Sequence, residues 1–227
     1  RLAMPTAITI ATMNLLNLAL PGQVTHKKST PLDQTAYDRK VAWIAGRLTE
    51  IDADLIGFQE VWSAQALADC FKAAGLDGKY TLMARDGAPG LVQVAAAVAR
   101  KYKVKTPPAS AWVDDFPPEF VLKKRPPDAG EQLNTMEVLI NQFSRPVLAL
   151  DIEVETGLAL RFLVIHLKSK LKMDLDGEEY GKPAIKPHAQ ALGEALSTIR
   201  RTAEVAALRV MLNKELKETR LPSVVVG

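Results

Sequence analysis

Four polar side chains stand where apolar, strand-like segments end or turn. Asn14 follows the alternating run 7–13, Glu60 follows Leu55–Phe58, and His166 follows the apolar run 158–165. Arg145 lies in a turn before another such segment. Ligands of open α/β sheets gather beyond the carboxyl ends of strands, so these groups are expected to meet there. A carboxylate among them suits Mg²⁺ or Mn²⁺, which leave coordination positions for water and phosphate oxygens.

Each of these residues also has a structural interpretation. Glu60 precedes Ser63, a potential helix cap, and a carboxylate at a helix start interacts favourably with the helix dipole. Asn14 is a common turn former, and a histidine that ends a buried strand often bonds to backbone. The occurrence of all three at corresponding positions favours the interpretation as a site.

Strand and helix patterns alternate around these residues. Apolar residues at spacings of three and four predict a helix along Tyr37–Ile51, whose exposed face carries Lys40 among other charged residues. Ser63 is predicted to cap a short second helix that ends near Gly75, and a third helix is predicted from His188 to about Lys217. The predicted strands are 7–13, 55–58, 80–84, 92–99, 136–141, 146–154, 158–165 and a last one from Ser223. This order predicts an α/β fold with helices covering a sheet.

Two segments lack regular patterns. Prolines between Thr106 and Pro127 exclude regular structure over most of that segment, and its aromatic residues predict an ordered surface excursion. Residues 142–145 are predicted to break one strand pair, which would leave Arg145 in a turn.

Composition limits the class of protein. The chain has 227 residues, of which 48% are hydrophobic, and we interpret it as a single domain spanning 1–227. The only cysteine, Cys70, excludes an internal disulfide and is predicted to be buried. No apolar run is long enough to span a membrane, which predicts a soluble chain. Arg1 in place of an initiator leaves open a removed leader, and therefore either a cytoplasmic or a secreted location.

The motifs together resemble a known superfamily. Ile10-Ala-Thr-Met-Asn14, Asp54-Leu-Ile-Gly-Phe-Gln-Glu60, Ser144-Arg-Pro146 and Phe162-Leu-Val-Ile-His-Leu-Lys-Ser169 are similar to successive motifs of the endonuclease/exonuclease/phosphatase superfamily, which contains deoxyribonuclease I and exonuclease III. This resemblance implies a four-layer α/β sandwich, in which two packed mixed sheets are flanked by helices. It also implies hydrolysis of phosphodiester bonds with a divalent metal, Mg²⁺ or Mn²⁺, in a nuclease-type reaction.

The resemblance assigns a role to each site residue. Glu60 would be the metal ligand, and Asn14 would support the metal and the phosphate. Arg145 would contact the substrate phosphate, and His166 would bond the scissile phosphate or assist the leaving oxygen. Gln93 aligns approximately where deoxyribonuclease I has a glutamate that partners this histidine. Lys168, with Lys170 and Lys172, would bring positive charge near the site, which suits a nucleic-acid backbone.

The chain also departs from the family pattern. The family continues after a strand like Val224–Gly227 with an Asp-x-Asn motif and later a Ser-Asp-His motif that supplies the base, so we expect the C-terminal part to be missing here. Two alternatives therefore accompany the nuclease hypothesis. One is a phosphatase or phosphodiesterase acting on a small phosphoester or a lipid head group, and the other is a catalytically incomplete module. The formal net charge of +3 is compatible with a polyanionic partner but too small to identify one.

Overall fold

Two mixed β-sheets with covering α-helices make up the framework of the part of the chain that the structure describes. The computed structural model describes residues 7–26, 29–88, 91–120, 140–155, 158–175 and 181–227. The strands are β1 Ile10–Leu18, β2 Leu55–Val61, β3 Tyr80–Met83, β4 Gln93–Ala99, β5 Lys103–Val104, β6 Trp112–Asp115, β7 Gln142–Glu155, β8 Leu158–Val164 and β9 Ser223–Val226. The helices are α1 Gln34–Ile51, α2 Ala64–Ala73 and α3 Ala189–Glu218.

Each sheet contains one parallel pair of strands. The first sheet has the order β1-β2-β4-β3, in which β1 and β2 are parallel and the other pairs are antiparallel. The second sheet has the order β5-β7-β8-β9, with β6 also paired to β7, and its parallel pair is β8 and β9. The predicted α/β fold of two mixed sheets with helices is confirmed.

The chain divides into two compact units. Unit 1 comprises Arg1–Val113, Arg145–His166 and Leu221–Gly227. Unit 2 comprises Asp114–Ser144 and Leu167–Arg220. Asn14, Glu60, Arg145 and His166 all belong to unit 1.

In unit 1, the first sheet carries α1 and α2 on one face. Asp33 caps α1 by accepting the Ala36 N–H at 2.7 Å, and the predicted apolar stripe of this helix is buried. Ser63 caps α2 as predicted, accepting the Ala66 N–H at 3.3 Å. Cys70 on α2 is buried in the same cluster, and burial raises the pKa of its thiol to about 12. This cysteine is therefore part of the core and not a reactive thiol.

The other face of the first sheet packs on the second sheet. Their shared cluster joins residues of β2 and β4 to residues of β7 and β8, for example Leu55, Val98, Leu150 and Phe162. The sheets approach so closely at Gly57 that a Cβ there would lie 2.5 Å from Val226 Cγ2. Glycine is required at position 57 because no side chain fits between the sheets there, and not because of its backbone conformation, which lies outside the left-handed region.

Unit 2 is organised around α3. The buried positions of this helix include Ser197, Ala203, Glu204 and Ala207. Phe116 packs in edge-to-face contact with Phe120 and Phe143, at ring-centroid distances of 5.2 and 4.8 Å. The aromatic residues of the proline-rich segment therefore pack, as predicted, but the segment also contains β6 and a 3-10 helix at Pro108–Ser110, so its prolines do not exclude regular structure there. Residues 121–127 lie outside the described residues.

The structure corrects several predicted strand boundaries. Residues 142–145 do not break a strand pair but begin the 14-residue strand β7, so Arg145 lies in a strand and not in a turn. Pro146 precedes Leu148, the first residue of β7 in register with β8, so its missing N–H removes no bond from that ladder. A strand was also predicted at 136–141, and residues 136–139 of it lie outside the described part of the chain.

Two further strands are longer than predicted. β1 continues past Asn14 to Leu18, and β2 continues past Phe58 to Val61, so Asn14 and Glu60 lie within these strands and not after them. Within the described ranges, no helix has the length and apolar character needed to cross a membrane.

Candidate active site

The site begins with two irregular strand ends. In β1 and β2, Asn14 pairs with Gln59 and Leu18 pairs with Val61, so residues 15–17 of β1 oppose the single residue Glu60. The register between β2 and β4 also shifts between Phe58 and Val61. Bulges of this kind redirect side chains and are common beside active sites. Here they turn Glu60 and the loop after Asn14 towards each other.

The Glu60 carboxylate is held by two N–H donors. Asn14 Nδ2 donates to Glu60 Oε1 at 2.9 Å, and the backbone N–H of Asn17 donates to Oε2 at 3.0 Å. His166 Nε2 lies 3.8 Å from Oε1, with 18% of its side chain exposed against 21% for Glu60. The structure thus brings together the three predicted strand-end residues Asn14, Glu60 and His166.

The backbone around this carboxylate adopts an uncommon conformation. Leu16, Asn17 and Glu60 have φ values of 48°, 59° and 60°, in the left-handed region that side chains other than glycine rarely occupy. Such residues cost of order 1–3 kcal/mol each and persist where surrounding contacts impose them, often at functional sites. Leu16, Asn17 and Glu60 itself form a cluster of such residues, as expected of a functional site.

Asn17, Trp62 and His26 are site residues that sequence reasoning missed. Asn17 Oδ1 accepts a hydrogen bond from Trp62 Nε1 at 2.9 Å and lies 3.2 Å from His26 Nε2. The His26 ring packs edge-on against Trp62 at 5.0 Å between centroids. The repeated asparagine in Asn14-Leu-Leu-Asn17 was the available signal. The irregular geometry of residues 15–17 was not predictable from the alternation of apolar and polar residues in β1.

Lys40 was expected on the exposed face of α1, and the structure corrects this. Its Nζ donates to the carbonyl oxygen of Leu16 and lies 3.4 Å from that of Asn17. Burial lowers the pKa of Lys40, and the negative charge of Glu60 opposes part of that effect. Position 40 follows Tyr37 by three residues, so the same helical spacing that buries Tyr37 also brings Lys40 towards the strand end.

Arg145 and Lys168 occupy different surroundings. Arg145 is half-buried in β7 beside the buried Pro146. Lys168 belongs to unit 2, where its Nζ donates to the Leu171 carbonyl at 2.9 Å. Their contacts with a phosphate stay predictions. Gln93, aligned with a histidine partner, instead accepts from Arg85 Nε at 2.7 Å and donates to the Leu91 carbonyl.

A further residue that the sequence did not single out, Glu204, lies in unit 2. It is fully buried on α3, and its carboxylate accepts the backbone N–H groups of Ser144 at 2.8 Å and Lys168 at 2.7 Å. Arg200 Nε is 3.3 Å from the same carboxylate. Buried carboxylates are stable only when paired in this way. Nothing in the helical pattern of α3 distinguished this glutamate from its exposed neighbours.

The side chains around Glu60 offer few ligands to a divalent cation. Across the described ranges, no group of three or more His, Cys, Asp or Glu side chains is arranged to hold a metal ion. Mg²⁺ commonly binds through one or two carboxylates and keeps its remaining positions for water and phosphate, so Glu60 alone fits such a cation. Asn14 Oδ1 accepts the Leu16 N–H at 2.8 Å, so Asn14 turns its Nδ2 towards Glu60 and supports this carboxylate.

Comparison with known proteins gives matches among solved structures. An endonuclease/exonuclease/phosphatase family protein of Bacteroides thetaiotaomicron is 15% identical, with a TM-score of 0.46 over 98% of this chain and 63% of that protein. A mannosyl-6-phosphatase of the same organism is 16% identical, with a TM-score of 0.48 over 96% of this chain and 64% of that protein. TDP2 from C. elegans is 14% identical, with a TM-score of 0.49 over 93% of this chain and 44% of that protein.

The superfamily indicated by the sequence motifs is therefore represented among these similar structures. This chain spans less than two thirds of the length of each of the three proteins. No protein-family model matches the sequence, and no curated protein matches it significantly.

Proposed function

We propose that the Glu60 site belongs to a divalent-metal-dependent phosphoester hydrolase. The observation that carries this proposal is the Glu60 carboxylate at a bulged strand end, held by Asn14 Nδ2 and the Asn17 N–H and lying 3.8 Å from His166 Nε2. An oriented carboxylate next to an imidazole combines a hard-metal ligand with a proton donor or acceptor. Metal-assisted phosphoester hydrolysis can use both groups.

Each residue has a proposed task in this reaction. Glu60 would hold the Mg²⁺ or Mn²⁺, which supplies charge stabilisation at the phosphoryl oxygens when it is bound. Asn14 keeps the carboxylate oriented through its Nδ2. His166 would donate a hydrogen bond to a phosphate oxygen or to the leaving oxygen, and Arg145 would neutralise phosphate charge.

The proposed substrate is a phosphodiester of nucleic-acid type. Lys170 and Lys172 follow His166 closely in the sequence, and positive charge in that stretch favours a polyanion. Neighbours of similar fold include a protein named for a mannosyl-6-phosphatase activity, so a small phosphomonoester is the second substrate class to examine.

The test is a substrate panel with the full chain. Plasmid DNA, RNA, a chromogenic phosphodiester, a chromogenic phosphomonoester and a sugar phosphate are incubated with Mg²⁺, with Mn²⁺ and with EDTA. We expect turnover only with metal, and a loss of about 100-fold or more in Glu60→Gln, which keeps the shape of the side chain but lowers its affinity for a hard cation. Turnover that survives EDTA, or an unimpaired Glu60→Gln variant, would contradict the proposal.

Metal binding is measured separately, because a catalytically incomplete module would bind the cation without turnover. Free Mn²⁺ is titrated against wild type and Glu60→Gln by electron paramagnetic resonance. Binding that depends on Glu60 without hydrolysis of any panel member identifies the incomplete module. Asp77→Asn serves as a control for general loss of negative charge, since Asp77 is exposed on unit 1.

A further inference from the structure

We infer that Asn17 is a positioning residue that fixes the orientation of the Glu60 carboxylate. The inference rests on the proposed function, in which Glu60 binds the cation. Asn17 is the one residue among those described whose backbone donates to Glu60 while its side chain bonds a tryptophan, through Asn17 N to Glu60 Oε2 at 3.0 Å and Asn17 Oδ1 to Trp62 Nε1 at 2.9 Å. It therefore links the carboxylate to the core of unit 1.

The chemistry of the tryptophan settles the orientation of the Asn17 amide. An indole N–H can only donate, so the amide atom that faces it must be the oxygen. His26 Nε2 lies 3.2 Å from the same oxygen and must donate as well, which places the proton on Nε2. The amide is thus held by two donors, one from the side chain of Trp62, which is 1% exposed and packs on Ala19 and Val92.

Lys40 holds the same loop from its other side. Its Nζ donates to the Leu16 carbonyl and approaches the Asn17 carbonyl at 3.4 Å, while both residues have left-handed backbone conformations. Contacts from α1 and from Trp62 therefore impose a conformation that Leu16 and Asn17 would not adopt alone. The consequence is that the Asn17 N–H points at Glu60 Oε2.

A carboxylate oriented before the cation arrives loses less conformational freedom on binding, which increases affinity. Substitution of a residue that orients a metal ligand typically lowers metal affinity by about 10- to 100-fold. Asn17 is expected to contribute on this scale even though its side chain need not touch the cation.

The experiment measures Mn²⁺ affinity of the full chain by electron paramagnetic resonance, together with the unfolding temperature. Asn17→Gly keeps the backbone N–H and tolerates the left-handed conformation, but it removes the amide that Trp62 and His26 hold. We expect the dissociation constant for Mn²⁺ to rise by about tenfold. Leu16→Gly is the matched control, because it introduces a glycine at the adjacent left-handed position and removes a side chain that is 73% exposed.

We expect Leu16→Gly to leave Mn²⁺ affinity within about twofold of wild type. Two results would overturn the inference. In one, Asn17→Gly also stays within about twofold and changes only the unfolding temperature, as a purely structural role would require. In the other, Leu16→Gly weakens Mn²⁺ binding as much as Asn17→Gly does, which would assign the effect to loop flexibility.

Glu60→Gln distinguishes failure of the inference from failure of the proposed function. If Glu60→Gln binds Mn²⁺ as wild type does, or if wild type binds none, the proposed function fails and the inference with it. If Glu60→Gln weakens binding and Asn17→Gly does not, only the inference fails.

Lys40→Met replaces Asn17→Gly if circular dichroism shows that the latter is unfolded. Removal of a cation near Glu60 should raise Mn²⁺ affinity by charge alone. We expect a decrease instead, because the loop that orients Glu60 is released. An unchanged or increased affinity in Lys40→Met would overturn the inference.

Discussion

At the scale of single residues, the structural and functional interpretations of Asn14 are compatible. Its Oδ1 accepts the N–H of Leu16, two residues later, as a turn former does, and its Nδ2 simultaneously donates to Glu60. The interpretation of Glu60 as a helix-start carboxylate is not supported, because Ser63 caps α2 and Glu60 is bonded to Asn14 and Asn17. Turn formation here therefore serves the carboxylate.

Asp54 gives a residue-scale prediction on the pH dependence of stability. Burial would raise the pKa of Asp54, but the hydrogen bond to Lys101 and the Thr9 N–H outweigh it and hold the pKa below its ordinary value of 3.8. A carboxyl whose pKa is lower in the folded state stabilises the fold above its unfolded pKa, and loses that contribution as pH falls through the folded value.

We therefore expect Asp54→Asn to lower the free energy of unfolding at pH 7 by about 1 kcal/mol or less, since Lys101 is largely exposed. The difference from wild type should shrink as the pH falls below about 3.9. Urea unfolding at several pH values measures this, with Asp77→Asn as the exposed control. A difference that persists unchanged at pH 2 would show that charge is not its cause.

At the scale of secondary-structure elements, periodic patterns were predictable and interruptions were not. The stripe Tyr37, Val41, Ile44, Leu48 defined α1 because burial on one side of a helix repeats every three to four residues. The left-handed residues at the end of β1 have no such repeat. The continuation of β7 through Arg145 and Pro146 has no such repeat either. A proline is compatible with a strand only at positions whose N–H the ladder does not use, and the sequence alone does not show which positions these are.

The two helical glycines Gly46 and Gly193 give opposite predictions. A Cβ at Gly46 on α1 would meet nothing within 4 Å, whereas a Cβ at Gly193 on α3 would lie 2.5 Å from the backbone oxygen of Met173. Alanine is favoured over glycine in helices, so Gly46→Ala should raise the free energy of unfolding by about 0.5–1 kcal/mol.

Gly193→Ala should lower the free energy of unfolding by about 1–3 kcal/mol, although alanine gains the same helix propensity here. The reason is that the segment around Met173, whose N–H donates to the Gly193 carbonyl, must shift to make room for the new methyl group. Chemical denaturation of the two variants measures both effects. Stabilisation by Gly193→Ala would mean that residues 172–173 do not pack against α3.

At the scale of the whole molecule, the site depends on strands that are distant in sequence. Unit 1 combines three chain segments, and β9 joins the second sheet through parallel pairing with β8. The sequence indicated that Asn14, Glu60 and His166 lie near the carboxyl ends of strands, and hence that they approach one another. It did not indicate the partners of Glu204 or the tie from Asn17 to Trp62, because these depend on the tertiary path of irregular segments. Gln93 was aligned with the partner of His166, but in the structure its side chain bonds to Arg85 and to the Leu91 carbonyl.

The packing between the two sheets provides a prediction at this scale. Gly57 on β2 and Val226 on β9 are 169 residues apart, yet a Cβ at Gly57 would lie 2.5 Å from Val226 Cγ2 and 3.0 Å from Val164 Cγ2. Gly57→Ala should therefore lower the free energy of unfolding by about 1–3 kcal/mol. Val226→Ala removes the closest of these methyl groups, so the double variant should be more stable than the sum of the single effects by at least about 0.5 kcal/mol. Additivity of the two substitutions in urea unfolding would contradict the close approach, whereas Val225→Ala on the same strand, combined with Gly57→Ala, should be additive because Val225 points to the opposite face of the sheet.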